Sequence, residues 1–169
     1  IQLAHYVTFM NALNGAEQDY HTAFLLPGGV NSPLLDLMNV RYLLLDATLP
    51  PDRADVIALT QGRREVFRTD YVIMYERERP LPHAWIVHEV QAAAPGEAAP
   101  QIVLGQADPW WTGLVSGQLP PVAPAEDTVG EHAAISRYDA DTVTISTTLT
   151  APGLLIVSEI VADGWTVTV

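Results

Sequence analysis

The part of the chain that most constrains the fold runs from Ala133 to Val169, where apolar segments alternate with turn sequences. From Thr142 to Leu149 apolar and polar residues alternate, as they do along a strand with one buried face. Leu154 to Val157 is apolar at every position, which predicts a central strand covered on both faces. Tight connections rich in Asp, Pro and Gly separate the segments: Asp139 to Asp141, Ala151 to Gly153, and Ala162 to Gly164. The pattern predicts up to four antiparallel strands.

Composition narrows the function classes. The chain has 169 residues, 49% hydrophobic and 17% charged, which is typical of a globular domain with a well-filled core. A net charge of −12 argues against a nucleic-acid partner, because such binding needs clustered cations. All eight cations are arginines and there is no cysteine, which excludes lysine Schiff bases, thiolate nucleophiles, disulfides and cysteine-ligated zinc.

Helices and strands are expected to alternate in the first half of the chain. Helical spacing of apolar residues predicts a helix from Ile1 to Leu13, and Asn31-Ser32-Pro33 predicts the start of a short helix ending near Met38. A single helical turn is expected from Arg53 to Leu59. Predicted strands are Val40 to Asp46 (buried), Glu65 to Thr69, Tyr71 to Arg77, His83 to Val90, and Gln101 to Gly105.

The predicted architecture is α+β, with N-terminal helices packed on strands and an antiparallel, β-sandwich-like C-terminal part. The whole chain, 1–169, is expected to form one domain. Its subregions are 1–90, with helices and strands, 91–131, an irregular connection, and 132–169, with antiparallel strands. Leu119 to Thr128 is the least ordered segment by composition.

No catalytic or metal-binding constellation is evident. His83 and His88 are an odd number of positions apart on one predicted strand, so they would point to opposite faces and could not chelate an ion together. Asp19 and His21 could form an acid/base pair, but a solvated loop explains them better. We therefore predict no catalytic residue, no metal and no cofactor.

The tryptophans are the candidate ligand-binding residues. Trp110 and Trp111 are adjacent after Asp108-Pro109, and paired indoles either stack on a sugar ring or fill a core. Trp85 and Trp165 are further candidates for sugar stacking.

Four segments of the chain carry a resemblance to a known family. One segment, SPLLDLMNVRYLLLD, resembles a Ser-Pro-Leu-Leu-x-Leu-x-Asn-Val-Arg-Tyr signature. A second, RPLPHAWIVHEV, resembles a Leu-Pro-Arg-Ala-Trp-Val-Val signature. A third, APGLLIVSEIVADGW, resembles a Pro-Gly-Leu-Leu-Val-Leu-Ser-Glu signature that ends in Pro-Gly-Trp. The fourth segment, LAHYVTFMNALNG, is similar to a helix that precedes them. Together they resemble the C-terminal soluble region of bacterial YfhO-type membrane proteins, which are related to the C-type glycosyltransferases.

The resemblance implies a parent protein with many membrane helices before Ile1 and a soluble domain on the extracytoplasmic side of the cell membrane. The few cations agree with that side, because Lys and Arg are retained in cytoplasmic loops. It also implies that the catalytic acid lies in an early extracytoplasmic loop between membrane helices, and that the partners are the membrane portion of the same chain and a glycan or polyprenyl-linked sugar. Asn39, Arg41 and Tyr42 lie together in the signature and are candidate ligand contacts, unless they only satisfy local backbone groups.

Two functions follow as hypotheses. The first is a non-catalytic domain of a glycosyltransferase-like membrane protein, which positions an acceptor or covers the membrane active site. The second is a carbohydrate-binding β-sandwich module that uses exposed tryptophans.

Overall fold

The computed structural model describes residues 2–17, 25–159 and 164–169, with side chains described from Tyr6 onward. The predicted α+β class is confirmed. The helices are α1 (Gln2–Asn14), a 3-10 helix (Pro27–Asn31), α2 (Leu34–Leu37), α3 (Ala54–Thr60) and α4 (Ala98–Val103). The strands are β1 (Tyr42–Asp46), β2 (Arg64–Arg68), β3 (Val72–Glu76), β4 (Ala84–Val87), β5 (Glu89–Ala92), β6 (Thr112–Val115), β7 (His132–Tyr138), β8 (Val143–Thr148) and β9 (Leu154–Val157).

Strands β1, β3 and β2 form the first sheet, which is antiparallel and has β3 at its centre. Its inner face packs against α3 through Leu45, Ile73 and Val56. The prediction of a uniformly buried first strand is wrong, because buried and exposed residues alternate along β1. Leu44 points away from α3 and is exposed. Only one face of this sheet is covered by α3.

The strand predicted from His83 to Val90 is divided into two that belong to different sheets. β4 pairs antiparallel with β9, whereas β5 pairs parallel with β6. The division falls at His88, whose side chain is held by groups from two later segments, as described below. Leu81, Trp85 and Val87 form the buried cluster beside β4. The side chains packed against this cluster are Leu37, Trp110, Leu154 and Ile156.

The C-terminal part is antiparallel as predicted, but its strands are paired differently. β7 and β8 form a hairpin, and β7 contacts β4, so the hairpin lies beside the β4–β9 sheet. β9 pairs with β4 in a two-stranded sheet and is not the central, doubly covered strand expected. No strand forms from Trp165 to Val169, and the predicted turn at Ala162-Asp163 lies outside the described residues.

The segment 91–131 is more ordered than predicted, since it holds the end of β5, helix α4 and strand β6. The strand expected from Gln101 to Gly105 is wrong, because Ile102 belongs to α4 and packs against the buried side chains Leu13, Leu34 and Leu35. Burial against α1 and α2 therefore outweighs the local strand preference. Helices α1, α2 and α3 and the β2–β3 hairpin form where they were predicted.

Within the described residues, none of the helices combines the length and the apolarity needed to cross a bilayer.

Candidate functional site

The candidate site is a groove of about 790 Å³ that is open to solvent. One wall is β4, and the other is the segment that leads into β7. The lining side chains from the first wall and the turn after α4 are Pro82, Ala84, Trp85, Ile86, Val87, His88, Glu89, Trp110 and Trp111. Those from the second wall are Pro124, Ala125, Thr128, Glu131, His132 and Ala133. The groove is thus mainly apolar, and its acidic groups are not matched by any arginine.

Three tryptophans meet in the groove, at three depths. Trp85 is buried, and its Nε1 donates a hydrogen bond of 2.8 Å to the carbonyl oxygen of Pro109. Trp110 is half-buried against the β4 cluster, with the Arg79 guanidinium 5.5 Å from its ring centroid. Trp111 stands at the rim with 62% of its surface exposed. Trp111 therefore offers a free aromatic face to a ligand, whereas Trp85 is part of the core.

Asp108 positions the two adjacent tryptophans. Its carboxylate accepts a hydrogen bond of 3.0 Å from the backbone N–H of Trp110. Its carbonyl oxygen accepts bonds from the backbone N–H groups of Trp111 and Thr112, at 3.0 and 2.9 Å. This Asp-Pro turn reverses the chain before β6, so consecutive indoles point in different directions, one inward and one toward solvent.

His88 and Glu131 form a nearly buried pair at one end of the groove. The imidazole Nε2 lies 2.7 Å from Glu131 Oε2, and Nδ1 lies 3.0 Å from the Ala123 carbonyl oxygen and 3.2 Å from that of Pro152. Every one of these neighbours is an acceptor, so the site favours the imidazolium form, in which both ring nitrogens donate. The hydrogen bond to Glu131 raises the pKa of His88, against the opposing effect of burial.

Glu131 is fixed from three sides. Its Oε1 accepts hydrogen bonds of 2.6 Å from both the hydroxyl and the backbone N–H of Thr150, and its Oε2 contacts His88. These bonds, those from Thr150 foremost, lower the pKa of Glu131 to about 2. The hydrogen-bonding groups of the pair are directed at protein partners, so we interpret it as a clamp that joins β4, the groove wall and the end of the hairpin.

A second cluster of hydrogen-bonded side chains lies at the other end of the β7–β8 hairpin. Glu159 Oε1 lies 2.8 Å from His83 Nε2 and also accepts a hydrogen bond from the Tyr138 hydroxyl. The ring of His83 meets that of Tyr138 edge to face, with centroids 5.6 Å apart. The bond to Glu159 raises the pKa of Tyr138. These contacts attach the end of β7 to the chain just before β4.

The remaining candidates lie elsewhere. Asn39 Nδ2 donates hydrogen bonds of 2.8 Å to the carbonyl oxygens of both Leu81 and Pro82, which are backbone groups distant in the chain and not the local ones considered above. Arg41 bonds to Glu76 and stacks over Tyr42 on the first sheet. Trp165 is exposed and does not line the groove. Asp19 and His21 lie outside the described residues.

Among the described residues there is no group of three or more His, Asp or Glu side chains that could hold a metal ion. Comparisons with protein-family models, curated proteins and solved structures found no match to this chain.

The sequence pointed to the tryptophans but not to the His88–Glu131 pair. The two residues are 43 positions apart, and nothing local distinguishes Glu131 from a surface residue. The signal available in the sequence was the interruption of an apolar strand by His88.

Proposed function

We propose that the chain is a non-catalytic domain that binds a glycan in the tryptophan groove. The observation that carries the proposal is Trp111, an exposed indole at the rim of an apolar groove whose floor is held by Trp85 and Trp110. Sugars present apolar C–H faces that stack on such rings, and an indole has the largest ring among the side chains.

The charge of the groove indicates the class of sugar. Glu89 and Glu131 are its acidic lining residues, and neither arginine nor lysine lines it. Glu131 is already paired with His88, so Glu89 is the carboxylate that a phosphorylated or acidic sugar would meet, with no arginine or lysine in the lining to compensate the repulsion. The groove therefore fits neutral sugars or amino sugars.

The test is a binding titration followed by tryptophan fluorescence and calorimetry. Probes are neutral oligosaccharides, N-acetylglucosamine oligomers and, as a charged comparison, oligogalacturonate. We expect binding to a neutral or amino sugar that weakens about fivefold in Trp111→Ala, since one ring stack is worth about 1 kcal/mol.

Trp165→Ala is the matched control, because Trp165 is also exposed but lies away from the groove. The affinity of Trp165→Ala for the sugar should equal that of the wild type. Equal loss in both variants, or no binding to any probe, would contradict the proposal.

A second proposal concerns the larger protein to which such a domain would belong. We propose the soluble extracytoplasmic domain of a YfhO-type, glycosyltransferase-like membrane protein, in which the groove would position an acceptor for the membrane active site. The four segments that carry the resemblance are in mutual contact, which supports it. Leu37 of the second segment and Ile156 of the fourth both pack against the buried cluster that contains Trp85 of the third, while Leu13 of the first belongs to one buried cluster with Leu34.

Hydrogen bonds join the same segments. Asn39 bonds to the carbonyl oxygens before His83, and Ser158 Oγ donates to the Leu37 carbonyl oxygen at 2.7 Å. The coding sequence upstream of Ile1 tests this second proposal. We expect many apolar segments there, each of roughly 20 residues. A gene without them would overturn it and leave the glycan-binding proposal standing.

A further inference from the structure

The face of the first sheet that points away from α3 is apolar and exposed. We call it the outer face. It is defined by the residues of β1 and β3 that alternate with the buried ones, together with the β2 residues that pair with them. It consists of Tyr42, Leu44 and Asp46 on β1, Val72, Met74 and Glu76 on β3, and Arg64 and Phe67 on β2.

A row of apolar side chains crosses the middle of this face. Leu44 is paired with Met74, and Met74 with Phe67, so the three lie side by side across all three strands. Leu44 is 62% exposed and Phe67 52%. An apolar row of this kind on a sheet is normally covered by another layer.

Charges mark the two ends of the outer face with opposite signs. At one end, Arg41 and Arg64 both bond to Glu76, and the guanidinium side chains are 61% and 75% exposed whereas the carboxylate side chain is 16% exposed. At the other end, Asp46 is exposed at the end of β1. Along the strand direction, the outer face therefore has a positive end, an apolar row in the middle and a negative end.

The distribution of charge over the chain sets this region apart. Residues 41–79 hold seven of the eight arginines and seven of the twenty acidic residues, so this region is neutral while the rest of the chain carries the net charge of −12. Two copies of the chain repel each other through the acidic remainder. The neutral region is where they approach at the lowest electrostatic cost.

We propose that the outer face binds the same face of a second copy of the chain, about a two-fold axis that runs along the row of Leu44, Met74 and Phe67. Such an axis stacks each apolar row on its counterpart at the usual sheet separation of about 10 Å. It also reverses the strand direction and places β1 over β1 of the other copy, so the Arg41 end of each β1 lies over the Asp46 end of the other. The face is thus complementary to itself in both shape and charge.

Sedimentation of the full 169-residue chain tests the pairing. At about 100 µM, a concentration at which even a weak specific dimer is populated, we expect twice the monomer mass of 18.4 kDa. Leu44→Glu should be monomeric, because it places a charge in the middle of the dry contact. Val129→Glu is the matched control, since Val129 is 85% exposed and outside this face, and it should remain dimeric.

A charge exchange tests the orientation of the two copies. Arg41→Asp and Asp46→Arg should each weaken self-association at least about tenfold, because like charges then face each other at both ends of the stacked β1 strands. An equimolar mixture of the two variants should associate again, since both ends of one variant are then acidic and both ends of the other are basic. Circular dichroism of each variant excludes unfolding as the cause.

A wild-type chain that stays monomeric at this concentration would overturn the proposal. If it also sedimented with phosphatidylglycerol vesicles and Leu44→Glu did not, the outer face would belong to a lipid surface instead. Dimerisation that Leu44→Glu leaves intact would place the contact elsewhere, and a mixture that fails to associate would exclude the antiparallel arrangement.

Discussion

At the scale of single residues, Asn39 combines an unusual backbone conformation with a bridging side chain. Its φ is 57°, in the left-handed region, which Asn tolerates better than most residues. Its amide joins the end of α2 to the carbonyl oxygens of Leu81 and Pro82. The residue therefore turns the chain and ties α2 to the segment before β4 at the same point.

Two substitutions at Asn39 separate these roles. Asn39→Gly removes the hydrogen bonds but suits the backbone, so we expect a loss of about 1–2 kcal/mol in the free energy of unfolding. Asn39→Ala removes the same bonds and also strains the backbone, so we expect about 2–3 kcal/mol. Urea unfolding followed by circular dichroism measures both, and equal losses would show that the backbone conformation contributes nothing.

The His88–Glu131 pair predicts a pH window of maximal stability. Folding raises the pKa of His88 above 6.5, so its contribution is complete below pH 6.5 and is lost as the pH rises through the folded value. Folding lowers the pKa of Glu131 from 4.5 to about 2, so its contribution is complete above pH 4.5 and is lost as the pH falls toward 2. Both contributions are present together between pH 4.5 and 6.5.

The test is the stability difference between the wild type and His88→Gln as a function of pH. We expect the difference to be largest near about pH 5.5 and to shrink at both higher and lower pH. His132→Gln serves as the control, because His132 is exposed and contacts the carbonyl oxygen of Gly130, its near neighbour in the chain. A difference that does not vary with pH would mean that His88 acts through packing alone.

At the scale of elements, Gly113 governs how closely the β5–β6 pair approaches the β4–β9 sheet. A Cβ atom at this position would lie 2.8 Å from a methyl carbon of Leu154 and 3.2 Å from one of Val87. A side chain there would push β6 away from the buried cluster beside β4. The two sheets pack as they do because this position in β6 has no side chain.

We therefore expect Gly113→Ala to reduce the free energy of unfolding by about 1–3 kcal/mol, as overpacking usually does. Adding Leu154→Val, which shortens the side chain that is struck, should recover part of the loss. Ser116→Ala, just after β6, should change stability by less than about 0.5 kcal/mol. Chemical unfolding of these variants and of Leu154→Val alone measures their free energies of unfolding. If the effects of Gly113→Ala and Leu154→Val simply add in the double variant, the proposed clash is contradicted.

At the scale of the whole molecule, side chains and hydrogen bonds shared between regions predict one unfolding transition. Leu37 packs both with the α1–α2 core and with the cluster beside β4, so these regions share side chains. Arg63 and Arg77 both donate to the Val30 carbonyl oxygen, at 2.8 and 2.9 Å, which joins the first sheet to the 3-10 helix.

The tryptophans all lie outside residues 41–79, so their fluorescence mainly follows the groove while circular dichroism follows every element. We expect the two signals to change at the same denaturant concentration. Separate midpoints would divide the chain into two units, with the first sheet as one of them.

Much of the fold could be predicted because its signals are local. Pro33 after Ser32 marks the start of α2, and Thr69-Asp70 marks the β2–β3 turn, whatever the rest of the chain does. The apolar run around Ile102 fits a strand as well as a helix, so its pattern alone predicts the wrong element. Contact with α1 and α2 decides between the two.

The candidate site was predictable in part. The indoles of Trp110 and Trp111 stood out by type and spacing, but which of them faces solvent depends on a turn made by Asp108. The strand break at His88 depends on Glu131, Ala123 and Pro152, which are far along the chain. Such long-range contacts leave no local pattern.

The pairing of β4 with β9 joins residues that are far apart in the chain, from Ala84 with Val157 to Val87 with Leu154. Closing so long a loop carries an entropic cost and slows folding. During synthesis, β4 leaves the ribosome well before its partner does, so its apolar edge waits without a neighbour until β9 is available. An unpaired apolar edge is a site of aggregation, so we expect a product that ends before Leu154 to aggregate more readily than the full chain.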